Sequence, residues 1–333
     1  MRCIRASINI GDSRAVCQQA TARAQTTLRY GLDRAVAYGR QMRWLFLLLA
    51  LTDCTVEGPV PGARCLAVPV ARVPLDVISD VPVVTAEVNG LPVRMLLDTG
   101  AAQTVVSPQL ARRLGLRPAG RAIAMEGAGG SVLATPVVLE QVRLGSSQGM
   151  RLPAIIERTL DLAPDGVIGV DYLSAFDIDL DMPGRVMALY APSQCGAPPW
   201  SGHTTELPVL RNTDRQVAVP ITVNGVGLLA ALDTGNSVTF LTPRAAARAG
   251  IGALLVEAAP SGAVEAFNGM MAPVRRVQVD RLGVGTSTLR FPVLQVGALP
   301  DRVGDGLLGG DYLATHRVWL ALATGRVSVA DDP

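Results

Sequence analysis

Two aspartates in this chain each stand in the same short motif, an apolar run followed by Asp-Thr-Gly. Asp98 lies in the first motif and Asp233 in the second. One such triplet is a common turn, but two suggest a pair of carboxylates built by an internal repeat. Two carboxylates a hydrogen bond apart cannot both ionise cheaply, so they share one proton and can activate water. The residues therefore favour hydrolysis by general acid and base.

Other hydrolytic schemes lack the residues that they need. The chain has two histidines, His203 and His316, and neither stands in a nucleophile motif. No G-x-S-x-G motif with a supporting strand and helix appears. The five cysteines form no C-x-x-C pair and have no evident catalytic partner. The sequence therefore predicts neither a metal nor a cofactor.

The two triplets belong to a longer repeat, because other motifs recur in the same order. Three matches share one constant spacing: Asn89-Gly90 and Asn224-Gly225, the triplets themselves, and Ser107-Pro108 and Thr242-Pro243. A further match, between 165–173 and 305–313, has a slightly wider spacing. Four ordered matches indicate duplication, with a few extra residues in loops between the motifs.

The elements that must position the aspartates follow from these repeats. In each half, a β-branched run meets Asn-Gly and a second apolar run returns to the triplet. This is the strongest short hairpin signal. Pro108 and Pro243 are each placed to open a short helix, which would end at Gly115 or Gly250. The hairpins are predicted over 81–97 and 217–232.

A second hairpin is predicted in each half, over 121–139 and 262–279. The first has a glycine-rich tip, which can move and can lie close to a ligand backbone. A phosphate cradle is the alternative interpretation, but it needs a helix after the glycines and strand-like sequence follows them. The tip consists of Gly127, Ala128, Gly129 and Gly130.

Three aspartates alternate along the strand predicted over 176–181. A calcium loop would need a glycine and further oxygen ligands in a tight turn. We therefore interpret Asp177, Asp179 and Asp181 as an exposed strand face.

Composition excludes several classes of function. Of the 333 residues, 49% are hydrophobic and 17% are charged, which predicts a compact fold over a disordered chain. The net charge is +2, so no basic field is available for nucleic acid. Aromatic residues make up 4%, which disfavours a stacking platform for bases or sugars.

The N-terminal region contains a segment that resembles a secretory signal. Residues 1–41 have no sustained apolar period, and we interpret them as an unstructured or mis-annotated extension. Residues 42–54 resemble a secretory signal, because Arg43 is followed by an apolar run over 44–51 that is too short to span a bilayer as a helix. A short buried or interfacial helix is the alternative. Residues 55–80 are proline-rich and predict an extended tether.

Two cysteine questions follow from this interpretation. Cys54 stands where a bacterial lipoprotein signal places its lipidated cysteine, although Asp53 replaces the usual small residue before it. Membrane anchoring through this segment therefore stays open. Cys65 and Cys195 flank the first repeat and could pair in an oxidising compartment, or remain free thiols. The location that we expect is the periplasm or cell envelope of a bacterium.

The doubled motifs resemble those of pepsin-type aspartic peptidases, and specifically a tandem of two retroviral-protease-like units. The resemblance rests on φ-φ-Asp-Thr-Gly, a flap hairpin and a φ-φ-Gly motif in each half, and covers roughly 81–330. It implies an all-β, bilobal fold of two retropepsin-like β-barrel lobes about a pseudo-twofold axis. The lobes would span 81–192 and 215–333, joined by a linker over 193–214.

The resemblance also implies roles for named residues. Asp98 and Asp233 would be the catalytic pair in an endopeptidase that acts on polypeptides. Thr99 and Thr234 would hydrogen-bond across the lobe interface, while the glycine after each threonine lets the backbone turn sharply. One chain would supply both halves, so a monomer is expected. The supporting glycines are Gly100 and Gly235, and the flap residues are 127–130 with Phe267, Asn268 and Gly269.

Two alternatives stay open, the first of them because the sequence departs from the family pattern. Asn236 follows the second triplet where alanine or serine is usual, the second flap lacks a glycine run, and neither flap contains a tyrosine. A catalytically inactive peptide-binding protein with the same fold is one alternative. The other is a dimer of chains in which the two halves of one chain do not face each other.

Overall fold

The structure is a computed structural model that describes residues 68–127, 130–157, 164–192, 197–211, 216–251, 262–265, 271–299 and 304–330. Strands dominate these residues, and their four α-helices have at most six residues each. None of the described helices has the length and apolar character needed to cross a membrane. The predicted signal segment 42–54, with Cys54, Cys65 and Cys195, lies outside the described residues.

The first lobe is an eight-stranded sheet with the order β2-β3-β4-β9-β5-β8-β7-β6. Strand β3 also pairs with β7, which brings the two ends of the sheet together. The strands are β2 (Asp76–Ile78), β3 (Val81–Val88), β4 (Leu91–Leu97), β5 (Thr104–Val106), β6 (Ile123–Gly127), β7 (Gly130–Leu144), β8 (Ser147–Glu157) and β9 (Gly166–Ile168). Helices α1 (Pro108–Arg113) and α2 (Val170–Leu173) accompany them.

The second lobe repeats this plan in a ten-stranded sheet with the order β17-β18-β21-β16-β22-β15-β14-β19-β20, with β13 added beside β14. The strands are β13 (Leu210–Arg211), β14 (Val217–Val223), β15 (Val226–Leu232), β16 (Phe240–Leu241), β17 (Gly262–Glu265), β18 (Met271–Gln278), β19 (Arg281–Val284), β20 (Ser287–Arg290), β21 (Val293–Val296) and β22 (Gly306–Leu308). The helices are α3 (Pro243–Arg248) and α4 (Gly310–Leu313).

Local sequence explains the matching parts of the two lobes. Asn89 and Asn224 have φ angles of 49° and 50°, and each is followed by a glycine with positive φ, as a tight two-residue hairpin turn requires. Ser107 and Thr242 cap helices α1 and α3 by accepting the backbone N–H three residues on, and a proline follows each cap. The predicted hairpins and proline-opened helices are confirmed.

A six-stranded sheet joins the repeats, in the order β1-β11-β10-β23-β24-β12. Each repeat contributes three strands, and β10 pairs with β23 across the boundary. Arg317 strengthens this seam with two hydrogen bonds of 2.8 and 2.6 Å to the Asp179 carboxylate. The strands are β1 (Ala71–Pro74), β10 (Asp177–Asp181), β11 (Val186–Tyr190), β12 (Thr204–Leu207), β23 (Arg317–Ala321) and β24 (Arg326–Ala330).

The structure differs from the sequence-based expectations at this sheet. Residues 71–78, within the predicted tether, form β1 and β2, because Ala71, Val73 and Leu75 bury apolar side chains in the core. Residues 204–211, within the predicted linker, form β12 and β13. Both segments add edge strands to sheets that the repeats alone leave open.

The interpretation of the acidic strand as an exposed face is wrong. Asp177 and Asp179 are buried on β10, with 0% and 2% of their surface exposed. Trp200 and Trp319 cover this side of the sheet, and the Arg317 guanidinium lies 4.7 Å from the centre of the Trp200 ring. The strand is acidic because it receives arginine from the other repeat, a contact that alternation within one strand cannot reveal.

Candidate active site

The two Asp-Thr-Gly triplets lie where a strand of each lobe ends beside the φ-φ-Gly strand of the same lobe. Strand β4 runs parallel to β9, and β15 runs parallel to β22. The backbone N–H of Asp98 continues the first pairing by donating to the Ile168 carbonyl at 3.0 Å, and Asp233 donates to Leu308 at 3.0 Å. Each aspartate is therefore held by its own lobe before it meets the other.

Crossed hydrogen bonds between two buried threonines join the triplets. Thr99 Oγ1 donates to the Leu232 carbonyl at 2.7 Å and accepts the Thr234 backbone N–H at 3.1 Å. Thr234 Oγ1 donates to the Leu97 carbonyl at 2.7 Å and accepts the Thr99 N–H at 3.0 Å. The contacts are reciprocal, as a local twofold axis requires. A hydroxyl that both donates and accepts is needed at each position.

The two aspartate side chains face each other and are hydrogen-bonded to one another. Glycine is required beside them, since a Cβ on Gly100 would lie 2.6 Å from the Asp233 carboxyl carbon. A Cβ on Gly235 would collide with the Asp98 carboxyl in the same way. The triplet glycines therefore make room for the opposite carboxylate. This requirement is one of space, because neither glycine is among the residues with positive φ.

Backbone amides surround each carboxylate. Asp98 Oδ1 accepts the N–H of Gly100 at 2.7 Å and of Ala101 at 3.0 Å, and Asp233 Oδ1 accepts the N–H of Gly235 at 3.0 Å. Burial raises the pKa of Asp98, and its hydrogen bonds oppose that rise. The pKa of Asp233 is raised well above its usual range, first by burial and then by the negative charge of Asp98. The pair is thus arranged to share one proton.

A second layer behind the triplets was missed by the sequence analysis as a functional element. Thr104 Oγ1 donates to Asp171 Oδ1 at 2.8 Å and accepts the N–H of Gly169 at 3.3 Å. This ties the loop after Asp98 to the φ-φ-Gly strand. Burial raises the pKa of Asp171, and its bonds from Thr104 lower it. The sequence repeat matches Asp171 with Asp311 but gives no reason why both positions are aspartate.

The second lobe has the same arrangement. Thr239 Oγ1 donates to Asp311 Oδ1 at 2.7 Å and accepts the N–H of Gly309 at 3.2 Å. Burial is the main cause that raises the pKa of Asp311. Both threonines are fully buried, so their hydroxyls depend on these partners. Together the two sets fix the loops that carry the dyad.

Gln216 is a further residue that the sequence analysis missed. Its side chain is buried at the start of the second lobe, and its Nε2 donates to the carbonyl of Gly100 in the first lobe. The matching position of the first repeat holds Val81, so a search for recurring residues passes over it. A glutamine outside every motif carried no signal.

The flap residues are described only in part. Strands β6 and β7 form the predicted first hairpin, in which Gly127 pairs with Gly130, and Met125 packs against the apolar cluster beside the triplet. Strands β17 and β18 form the second hairpin. Ala128, Gly129, Phe267, Asn268 and Gly269 lie outside the described residues, so their role as substrate cover stays a prediction. In the described part of the chain, no group of three or more His, Cys, Asp or Glu is placed to hold a metal ion.

Comparison with known proteins adds the family context. A family model for aspartyl proteases matches the chain twice, over residues 84–172 and 219–312, so each repeat carries one match. Among solved structures, a retropepsin-like aspartic protease from Rickettsia conorii is similar at 20% sequence identity. That match covers 36% of this chain and 90% of the other, with a TM-score of 0.29. No curated protein matches the chain.

Proposed function

Because the chain belongs to the aspartyl protease family, whose model matches more than half of its residues, we propose that it is an aspartic endopeptidase. Asp98 and Asp233 are its catalytic pair, and its substrate is an extended polypeptide. One observation carries the proposal: the carboxylates of the two repeats lie face to face, each against the triplet glycine of the opposite lobe. Reciprocal threonine bonds hold them there.

The chemistry follows from the one proton that the pair shares. Ionised Asp98 takes a proton from a water molecule, whose oxygen attacks the carbonyl carbon of the peptide bond. Protonated Asp233 gives its proton to the carbonyl oxygen, which yields a tetrahedral diol. When the diol collapses, one of its hydroxyl groups returns a proton to Asp233, the C–N bond breaks, and the amine nitrogen receives the proton that Asp98 took from water. No net proton is gained or lost by the pair, so it returns to its starting state.

The test replaces one carboxylate at a time and measures cleavage of an unstructured protein across pH, with and without pepstatin. Asp98→Asn and Asp233→Asn should each lower kcat by a factor of about 10³ or more, because neither carboxyl can be both base and acid. The double variant should be scarcely worse than either single one, since the groups act as a unit. Asp76→Asn is the matched control, as this carboxylate is exposed and pairs with Arg94 at the surface.

The outcomes separate the competing functions. Cleavage that pepstatin blocks and that either substitution abolishes supports the peptidase. Wild-type protein that binds pepstatin or extended peptides but cleaves nothing would indicate the inactive peptide-binding protein instead. Near wild-type kcat in either single variant would contradict the shared-proton mechanism.

We further propose that residues 42–54 direct export to the bacterial cell envelope. Support comes from the apolar run behind Arg43. Cell fractionation followed by N-terminal sequencing is the test. A shortened chain in the envelope fraction is expected, and lipid on Cys54 would identify a membrane anchor. An intact chain in the cytoplasm would contradict export.

A further inference from the structure

The two lobes are not equivalent next to the dyad. Gln216 stands immediately before β14, while its counterpart in the first repeat, Val81, is the first residue of β3. Only 7% of the Gln216 surface is exposed. Its amide donates to the Gly100 carbonyl in the opposite lobe. A valine side chain has no hydrogen-bond donor, so the equivalent contact cannot form from the first lobe to Gly235.

This contact continues to the dyad through one peptide unit. The Gly100 carbonyl and the Ala101 N–H belong to the same peptide, and that N–H donates to Asp98 Oδ1 at 3.0 Å. A hydrogen bond to the carbonyl polarises the peptide and makes its N–H a stronger donor, because hydrogen bonds in chains strengthen one another. Gln216 therefore acts on Asp98 without touching it.

The corresponding peptide in the second lobe lacks the support of a glutamine. The backbone N–H of Asn236 donates to the Asp233 side chain, as that of Ala101 donates to Asp98. The carbonyl of that peptide belongs to Gly235, and the position that matches Gln216 is the apolar Val81. Otherwise the two triplets have the same residues and reciprocal bonds. Gln216 thus adds an asymmetric contact to a site whose two triplets are joined by reciprocal bonds.

We propose that Gln216 is a positioning residue that stabilises ionised Asp98 and so directs the shared proton to Asp233. The inference rests on the proposed function, because it assigns the base and the acid within that dyad. It names Asp98 as the group that activates water and Asp233 as the group that protonates the carbonyl oxygen.

The electrostatic surroundings agree with this assignment. Burial raises the pKa of both carboxyls. At Asp98, hydrogen bonds from the backbone N–H groups of Gly100, Ala101 and Gly235 oppose this rise. The pKa of Asp233 is raised well above its usual range, with the charge of Asp98 as the second cause. Among the described residues, the titratable group that affects the pKa of each aspartate of the dyad is the other aspartate.

The proposal predicts which side of the pH profile depends on Gln216. On the acid side, activity is lost when Asp98 takes up the second proton of the pair. Without Gln216, the Asp98 anion is less stable, so this protonation occurs at higher pH. On the alkaline side, activity is lost when Asp233 gives up its proton. Asp98 is ionised before and after that step, so the alkaline limb should not move.

The experiment measures kcat/KM against pH for wild type, Gln216→Met and Gln216→Val. Methionine keeps the length of the side chain without a donor, and valine copies the first lobe. In both variants the acid limb should move up by about half a pH unit, while the alkaline limb stays in place. KM at the pH optimum should be unchanged. Gln278→Val is the matched control, because Gln278 also donates its Nε2 to a backbone carbonyl, that of Phe291, but at an exposed site.

Each outcome decides the proposal. A parallel loss of activity at every pH, or an acid limb that coincides with wild type, would overturn it and leave only a structural role for Gln216. Wild-type protein with no pepstatin-sensitive cleavage would overturn the proposed function itself.

A second measurement uses the wild-type protein, in case both variants fail to fold. The ¹³C resonances of the carboxyl groups, followed in aspartate-labelled protein, should show Asp98 ionising before Asp233. The reverse order would contradict the proposal.

Discussion

The two repeats have identical residues where their Asp-Thr-Gly triplets meet, whereas other parts of their cores use different residues. The triplet residues are identical, and their crossed bonds match in length, with both hydroxyl-to-carbonyl distances at 2.7 Å. The Thr–Asp contacts behind the triplets are also the same in both lobes, but two other parts of the core use different side chains for the same purpose. This contrast shows which contacts the site needs in duplicate and which need only the correct volume or one hydrogen bond.

A row of three side chains across neighbouring strands shows how volume is kept. The middle residue of each row pairs with both others, and in each lobe the row belongs to a small apolar cluster next to the triplet. The rows are Leu96, Val167 and Val105 in the first lobe and Ala231, Leu307 and Phe240 in the second. The end residue that is larger is Leu96 in the first row and Phe240, at the opposite end, in the second. A dense core accepts such exchanges when they conserve the total volume.

A buried serine shows how one hydrogen bond is kept by a different partner. In the first lobe, the hydroxyls of Ser147 and Tyr172 are 3.1 Å apart. In the second lobe, Ser287 Oγ lies 3.0 Å from Nε2 of His316, which stacks on Tyr312 at 3.9 Å. His316 occupies the place of Phe176 in the repeat and takes over the hydrogen bond that tyrosine makes in the first lobe.

The largest effect is expected where the lobes are identical. Gly100→Ala and Gly235→Ala should each lower kcat by about 10²-fold, because the new methyl group displaces the opposite carboxyl and small misplacements are costly. The two losses should be alike. Gly227→Ala serves as control, since no atom lies within 4 Å of its added Cβ. Steady-state kinetics are the measurement, and a glycine variant that keeps wild-type kcat would contradict the face-to-face geometry.

An intermediate effect is expected in the compensated row. Phe240→Val should lower the free energy of unfolding by about 2–3 kcal/mol through the cavity that it leaves. Ala231→Leu alone should cost about 1–3 kcal/mol by overpacking. Together they rebuild the first lobe's arrangement, so the double variant should lose clearly less than the sum. Chemical denaturation measures all three proteins.

A distant pair is the control for this cycle. Phe240→Val combined with Val327→Ala should be additive to within about 0.5 kcal/mol, because the two residues lie in different sheets and different apolar clusters. Additivity of the Ala231 and Phe240 changes would show that the row does not pack as one unit.

The smallest effect is expected at the buried serines. Tyr172→Phe removes one hydrogen bond and leaves Ser147 bonded to the Leu144 carbonyl, so it should cost about 0.5–1 kcal/mol. His316→Phe also removes the imidazole bond to the Tyr312 carbonyl and should cost about 1–3 kcal/mol. Thermal unfolding of the two variants ranks them. Equal costs would show that the bond from His316 to the Tyr312 carbonyl adds no stability.

The sequence predicted the fold and the two aspartates because duplication makes local signals visible twice. Turn chemistry at Asn89-Gly90, helix caps and the triplets all act within a few residues. Gln216 could not be predicted, since its partner Gly100 lies in the other lobe and its own repeat position holds valine. The burial of Asp179 was missed for the same reason, because Arg317 reaches it from the other repeat. Contacts between the repeats exist only after both have folded.

The central claim is that one chain supplies both aspartates of one site, and mixing two inactive variants tests it most directly. Asp98→Asn and Asp233→Asn are each assayed alone, then combined, unfolded together and refolded. If the site forms within a chain, every molecule keeps a defective pair, and the mixture stays as inactive as its parts. If sites form between chains, the intact Asp98 of one variant can meet the intact Asp233 of the other. Cleavage restored in the mixture would therefore contradict the account.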